Sequence, residues 1–572
     1  MRKYVKRLTL LLAAALLIGS IAGCGASESA SVNATSVTES GEAASETTTS
    51  KSAERAEAAA SAEPAAAEDS SVEETPVNQI TYPIADGAVL TSWGSINSNL
   101  INYMETLSEN AVIKEAAVRT GVTLEATSIS SDVVSESFAL MVAAGDYTDL
   151  IDNVASFYAS PDAAIEDEVI IDLAGYTEEH APDFMATLNS NEAWKRRAYT
   201  NDGKLPFFCM LTTEPNAVQS SGYLIRQDWL DDLELDTPET FDDLYNVLSA
   251  FKSKKGASNA LWLNSNGLGL LAESYGVMAT YEPMGGFYPF YVKDETVYCG
   301  YFDETFKDYL AMASQWYEEG LIWKDFMTDT FCFGINTSNA VSLFTGGDMG
   351  IAYGEAKDVN SLPDMSGDPN YKLAAIPDPT NDGEANHMSA MGDGFGYKYA
   401  ISTACDNPEL ACEYLNYFYT DEGYQLCTYG IEGEASVNGE YTELLTDNPN
   451  NLSFDNAFDI YCLYDFPCRI DGTRYLRIYD ETTLAASDVW AASRDGAYNY
   501  PKGATLTADE TTAFNGIFTD VNTYVQQSVL AFITGDMDIE TQWDEFQSTL
   551  KAMGIDDAFD LKKTAYKRYC SK

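Results

Sequence analysis

Along residues 121–129, GVTLEATSI, apolar and polar side chains alternate as a half-buried strand requires. A helical stretch over about 99–119 precedes it, and AVL (88–90) reads as the first strand. The run SESFALMVAAGDYTDLI predicts a helix stopping near Gly145, then a buried strand ending at Asp152 and Asn153. Phe241, Leu244, Tyr245, Leu248 and Phe251 fall at helical spacing behind Thr240, an N-cap with Asp243 in the first turn, and Gly256 ends the helix. Asn407 and Pro408 open another helix as cap and first-turn proline. A third starts near Thr511, with Phe514, Ile517, Phe518, Val521, Val525 and Phe532 on one side. Strands alternating with helices predict a mostly parallel α/β sheet covered by helices. No period of 20–50 residues repeats, which excludes a solenoid.

The N-terminus follows another pattern. Four bases in MRKYVKR precede an apolar run over residues 8–18, the length of a secretory leader and too short for a spanning helix. The run closes on Ile21-Ala22-Gly23-Cys24, which resembles a bacterial lipobox; Cys24 would then carry a diacylglycerol thioether as the first mature residue. From Gly25 to about Pro76 the chain is Ser, Ala, Thr and Glu, with eleven acids against Lys51 and Arg55. Such a segment buries too little apolar surface to offset its ordering entropy, so it reads as a disordered tether.

Charge and cysteine content narrow the classes. The whole chain carries 89 Asp and Glu against 33 Lys and Arg, a formal −56. Nucleic acid is therefore a poor partner, since phosphate must be met by Lys and Arg. Anionic lipid would repel the body, leaving the anchor as its membrane contact, and polyanionic ligands are disfavoured. Of ten cysteines, nine remain once Cys24 is acylated, without CxxC spacing. That count argues against a disulfide framework or a zinc site, although Cys462 and Cys468 could bridge. Thiols in PFFCM and ELACEYL read as small buried hydrophobes.

Catalysis has little to draw on. The two histidines, His180 and His387, lie in polar contexts, and no HExxH, GxSxG or phosphate loop is present. TNDGK and TNDGE read as turns, without the alternating ligands of a calcium loop. No cofactor is expected.

Four segments, in this order, carry a resemblance: YLIRQDWLDDLELDTPETFDDLYNVLSAF, WYEEGLIWKDF, AISTACDNPELACEYLNYFYTDEGYQLCTYGIEGE and the closing FTDVNTYVQQSVLAFITGDMDIETQWDEFQSTLKAMGIDDAFDLKKTAYKRY. Together they resemble the large lipoprotein solute-binding proteins of ABC importers, in the oligosaccharide-binding branch of extracellular solute-binding family 1. The resemblance covers about 80–570. It implies a two-lobed, periplasmic-binding-protein-like fold of type II with ligand in the cleft between lobes. The expected division is leader 1–23, tether 24–77, first lobe 78–219 with a return at 400–450, second lobe 220–399, and 451–572 mainly second lobe. Trp229 and Trp262 read as core.

Sugar recognition sets aromatic faces against the apolar faces of the ring, with planar polar groups on the hydroxyls. The resemblance and the loop contexts together point to Trp93 and Asn97 just past the first strand, Asn153 and Tyr158 after the next, and Asn264 ending a third. Tyr353 and Glu355 match a stretch where relatives place a stacking platform, and Trp490 and Tyr498 a late insertion facing the cleft. The function so implied is capture of an oligosaccharide by a monomer, lipid-anchored on the outer face of a Gram-positive membrane, and delivery to the transmembrane subunits of an ABC permease, without chemistry. Other readings stay open: a peptide or another polar solute as ligand, a secreted glycan-active enzyme, or a surface sensor or adhesin.

Overall fold

The computed structural model describes residues 79–572 except 98–99, 159, 264, 279, 283–285, 327–337, 382, 384–386, 388–391, 447–453 and 464. The leader, Cys24, the tether and Asn264 lie outside the described residues. No helix among the described residues is long and apolar enough to cross a membrane.

Two four-stranded sheets organise the chain. In the first, the order is Tyr399–Ile401, Leu150–Asp152, Ala88–Ile96, Val122–Ser130, parallel except for the outer strand Tyr399–Ile401. Its core gathers Leu90, Val112, Leu124, Ile151, Phe184, Phe208, Tyr414 and Phe418. The second runs Leu373–Ala375, Ser221–Arg226, Ile351–Glu355, Leu261–Trp262. Here Ser221–Arg226 is antiparallel to both neighbours, so this sheet is mixed rather than mostly parallel. A strand entering from the other lobe has no helix to reverse it and pairs against its neighbours' direction.

A three-stranded sheet joins the lobes. Cys209–Thr213 lies between Phe395–Tyr397, antiparallel to it, and Arg469–Asp471, parallel to it. Each of the three carries the chain once between the lobes: from Phe208 to Ser221, from Ala375 to Tyr399, and from the helix Phe454–Tyr461 to the helix Glu481–Ala491. The two-lobed α/β architecture is thus hinged on three crossover strands paired with one another.

Residues 454–470 open the stretch expected to lie mainly in the second lobe, and they pack on the first. Phe458, Cys462, Leu463, Phe466, Cys468 and Ile470 pack into the first core, not the second. Asn110 shows why. Its Oδ1 caps the helix Ala111–Thr120, accepting from the backbone N–H groups of Val112 and Ile113 at 2.8 and 3.1 Å. Its Nδ2 donates to the carbonyls of Asp459 and Cys462 at 2.9 and 2.8 Å. One amide thereby fastens the late segment to an early helix.

Local signals shape most helices as expected. The helix before the strand Val122–Ser130 is shorter than read, Ala111–Thr120, because Asn110 caps it and left-handed Gly121 ends it. Thr240 closes a capping box with Asp243: the threonine hydroxyl accepts from the Asp243 N–H at 3.2 Å, and the carboxylate accepts from the Thr240 N–H at 3.1 Å. Replacing Thr240 by alanine removes the acceptor of the Asp243 N–H and should cost about 1 kcal/mol, measurable as a lowered denaturation midpoint. The helix read from near Thr511 starts at Ala508 behind Thr507, three residues earlier, and runs to Thr534. Cys209, Cys299, Cys405, Cys412, Cys427, Cys462 and Cys468 are buried free thiols, and Cys570 is an exposed one. Cys462 and Cys468 are therefore unbridged.

Candidate functional site

A cavity of about 430 Å³ opens at the crossover sheet. Met210 and Thr212 come from the first crossover, Asp393 and Phe395 from the second, and Arg474, Tyr475 and Tyr479 follow the third. Ser220, Glu355 and Lys357 face them from the near edge of the second sheet, with Asp455 and Lys502 completing the wall.

The sequence after the third crossover explains the aromatic side of this cavity. Asp471 caps the short turn Gly472–Arg477, its Oδ1 accepting from the Thr473 N–H and hydroxyl at 2.8 and 2.7 Å. A side chain on residue 472 would place its Cβ 2.4 Å from the Glu214 carbonyl oxygen, so only glycine fits where the third strand passes the first. The turn then sets Tyr475 and Tyr479 four residues apart, with ring centroids 5.6 Å apart and planes 29° from parallel. Tyr475 donates to Asp455 Oδ1 at 2.6 Å. Arg474 is buried, with its guanidinium 4.5 Å from the Tyr475 ring centre and 5.3 Å from that of Phe458. Burial pushes the Tyr479 hydroxyl well above its usual range, with the charges of Asp455 and Glu355 adding to the effect.

The wall's carboxylates are held. Glu355 pairs with Lys357 at 2.5 Å, and Asp393 with Arg197 at 2.5 Å. Arg197 in turn lies over the Phe395 ring at 4.7 Å. Among the described residues no group of His, Cys, Asp and Glu is arranged to hold a metal ion.

Of the residues singled out in the sequence, Glu355 alone lines this cavity. Trp93 is corrected to core. The first strand does not stop at Leu90 but continues to Ile96 in parallel register with Val122–Ser130, which sets Trp93 opposite Ile151. Its indole, 5 % exposed, packs on Phe138 and Phe157 at 5.7 and 6.3 Å. Trp490 is corrected likewise: it is fully buried over Gly222, where a Cβ would lie 2.3 Å from the indole ring. Tyr353 is buried edge-on to Tyr223, its hydroxyl 3.2 Å from Ser221 Oγ and within 3.4 Å of Arg494.

Three others meet at the carboxyl edge of the first sheet. Asn97 is exposed just past Ile96. Asn153, in the left-handed region, accepts from Ser156 Oγ at 2.8 Å and donates its backbone N–H to the Lys398 carbonyl at 3.0 Å. Tyr158 is half-buried, edge-on to Phe138. Tyr498 stands apart from the cavity, beside His387 at 4.5 Å and Lys293 at 5.1 Å. The sequence reading missed Tyr475, Tyr479, Arg474 and Lys502. The one signal for the first three was a pair of tyrosines at helical spacing in GTRYLRIYD, flanked by arginines.

Known proteins resemble the chain in sequence and in fold. The sequence profile of the bacterial extracellular solute-binding proteins matches residues 105–425. The chain is 24 % identical over 370 residues to the polygalacturonan/rhamnogalacturonan-binding protein YtcQ of Bacillus subtilis, covering 62 % of this chain and 68 % of that one. It is 21 % identical over 493 residues to the fructooligosaccharide ABC transporter substrate-binding protein FusA of Streptococcus pneumoniae, covering 81 % and 87 %. Among solved structures, alginate-binding protein AlgQ2 without calcium ion superposes with a TM-score of 0.65 at 22 % identity, over 85 % of this chain and 99 % of that one.

Proposed function

The chain belongs to the bacterial extracellular solute-binding proteins, and from that premise we propose that it captures an oligosaccharide between its lobes and delivers it to the permease of an ABC transporter. The observation that carries the reading is the cavity: all three crossovers contribute to its wall, and a stacked tyrosine pair lines it. A ligand filling that space touches both lobes and the strands that join them. Its binding free energy therefore favours one lobe arrangement over others, which a permease can read as closure. The names of YtcQ and FusA, both saccharide binders, support a sugar as cargo. Both are binding proteins, which supports capture without chemistry.

In this reading Tyr475 and Tyr479 offer ring faces to the sugar, and Glu355, held by Lys357, accepts hydrogen bonds from its hydroxyls. Asn97, Asn153 and Tyr158 extend the contact surface on the first lobe. Residues 79–208 with 399–468 form that lobe, and 221–375 with 481–572 the second. The leader 1–23 is removed, and Cys24 keeps the monomeric protein on the outer membrane face through its lipid. Two acyl chains hold firmly where one holds weakly.

Tyr475→Ala and Tyr479→Ala should each weaken oligosaccharide binding by about 2 kcal/mol, the cost of losing an aromatic anchor from a desolvated site. Calorimetric titration across an oligosaccharide panel, paired with melting curves, checks this. Unchanged affinity in both variants would remove the cavity from the binding site. Appearance of cleaved glycan would replace capture by catalysis.

A further inference from the structure

The chain as a whole opposes anions, yet its cavity does not share that character. The protein carries 89 acids against 33 bases, whereas the cavity wall holds Lys357, Arg474 and Lys502 against Glu355, Asp393 and Asp455. Each of those carboxylates is already engaged: Glu355 by Lys357, Asp393 by Arg197 from behind the wall, and Asp455 by the Tyr475 hydroxyl. Asp459 feels the charge of Arg474, and burial raises its carboxyl to about 7, with Asp465 and Asp455 as further causes. Lys502, exposed at the cavity, makes no hydrogen bond or ion pair to any described residue.

Resting on the oligosaccharide reading above, we infer that the cavity selects an acidic oligosaccharide, one bearing a carboxylate that Lys502 receives beside the buried charge of Arg474. Arg474 Nη1 donates to the Asp471 carbonyl at 3.2 Å and Nη2 to the Tyr475 hydroxyl at 3.4 Å, and the rings of Tyr475 and Phe458 flank it, so its guanidinium acts as a fixed positive charge beside Lys502. Lobe closure over a neutral sugar would strip water from the Lys502 ammonium without returning a partner, a cost that an anionic sugar removes. The repulsion expected from the chain's net charge is felt at long range and fades beyond about 8 Å at physiological salt. Inside the cavity the local bases decide. The overall acidity then filters weakly bound anions, while the site itself admits one.

The test titrates the full chain with short oligogalacturonates, their methyl esters, sulfated oligosaccharides and neutral fructo-oligosaccharides at low and high salt. The acid should bind at least tenfold more tightly than its ester, with salt weakening the acid alone, and a sulfated sugar should not replace it. Lys502→Gln, at an exposed position, should bring the acid-to-ester ratio close to one while the melting curve stays in place. Equal or tighter binding of the ester, or a preference for sulfate, overturns the carboxylate assignment and leaves oligosaccharide capture standing. Binding of no saccharide by the folded chain overturns both.

Discussion

Arg494→Ala should destabilise the protein by about 3–5 kcal/mol, because it strands a buried charge. Arg494 meets Asp378 with two hydrogen bonds, Nε to Oδ2 at 2.9 Å and Nη2 to Oδ1 at 2.8 Å. Both side chains are removed from solvent, 4 % and 0 % exposed. Ser493 Oγ donates to the same carboxylate at 2.6 Å, and Arg494 Nη1 donates to the Ser221 carbonyl at 2.6 Å. Burial alone would lower the guanidinium's pKa; the charge and hydrogen bonds of Asp378, together with Tyr353, outweigh it and hold the group above its ordinary value. The pair ties the segment after the third crossover to the start of the second, and Arg494 Nη1 ties it also to the strand Ser221–Arg226. Truncating one partner therefore removes the attraction and keeps the desolvation. The double variant Arg494→Met with Asp378→Leu should cost less than either single change, since no charge is then left alone. Denaturant unfolding of the three variants measures the coupling. Additive losses would show that the pair acts as two independent polar groups.

The second large effect is a pH dependence at the first lobe's carboxyl edge. Asp152 is buried against Gly94, and its Oδ1 finds no hydrogen-bond partner. Burial raises its carboxyl to about 7; Lys398 and the N–H groups of Ser95 and Asn153 pull it down, while Asp465 pushes it up. A carboxyl whose folded pKa exceeds its unfolded value stabilises the fold fully at acid pH. That contribution shrinks as pH rises from about 4 to about 7, at about 1.4 kcal/mol per unit. Asp152→Asn removes the titration. Its advantage over the unaltered protein should therefore grow between pH 5 and pH 8, while Asp459, also raised to about 7 by burial, leaves a residual slope. Parallel stability profiles for the two proteins would show that Asp152 stays ionised throughout.

What the sequence revealed and what it hid divide along contact distance. The cap at Thr240 with Asp243, the glycine stop at Gly145, and the strand before Asn153 depend on neighbours within a turn, and their residues announced them. The larger errors are long-range. Trp93 looked like a loop residue because nothing local marks the end of its strand; pairing with Val122–Ser130 carries it six residues further. Trp490 meets Gly222 from 268 positions away, and neither residue type advertises the other. The segment ending at Ile470 belongs to the first core through Asn110, some 350 residues earlier. Tyr475 and Tyr479 lie in a turn too short to show a period, and the crossings of three distant strands give them their place at the cavity.

The threefold crossing also governs when the protein can fold. Leu150–Asp152 waits for its outer partner Tyr399–Ile401, roughly ten seconds or more of synthesis later at about 5–20 residues per second. The first lobe gains its last core residues only near Ile470, and the second its last helix at Cys570. A nascent chain of this layout exposes unfinished sheet edges for most of its synthesis and depends on chaperones to keep them apart. The same delay keeps it threadable, which suits the leader proposed for residues 1–23: a polypeptide bound for a narrow translocation channel must reach it before its tertiary structure locks.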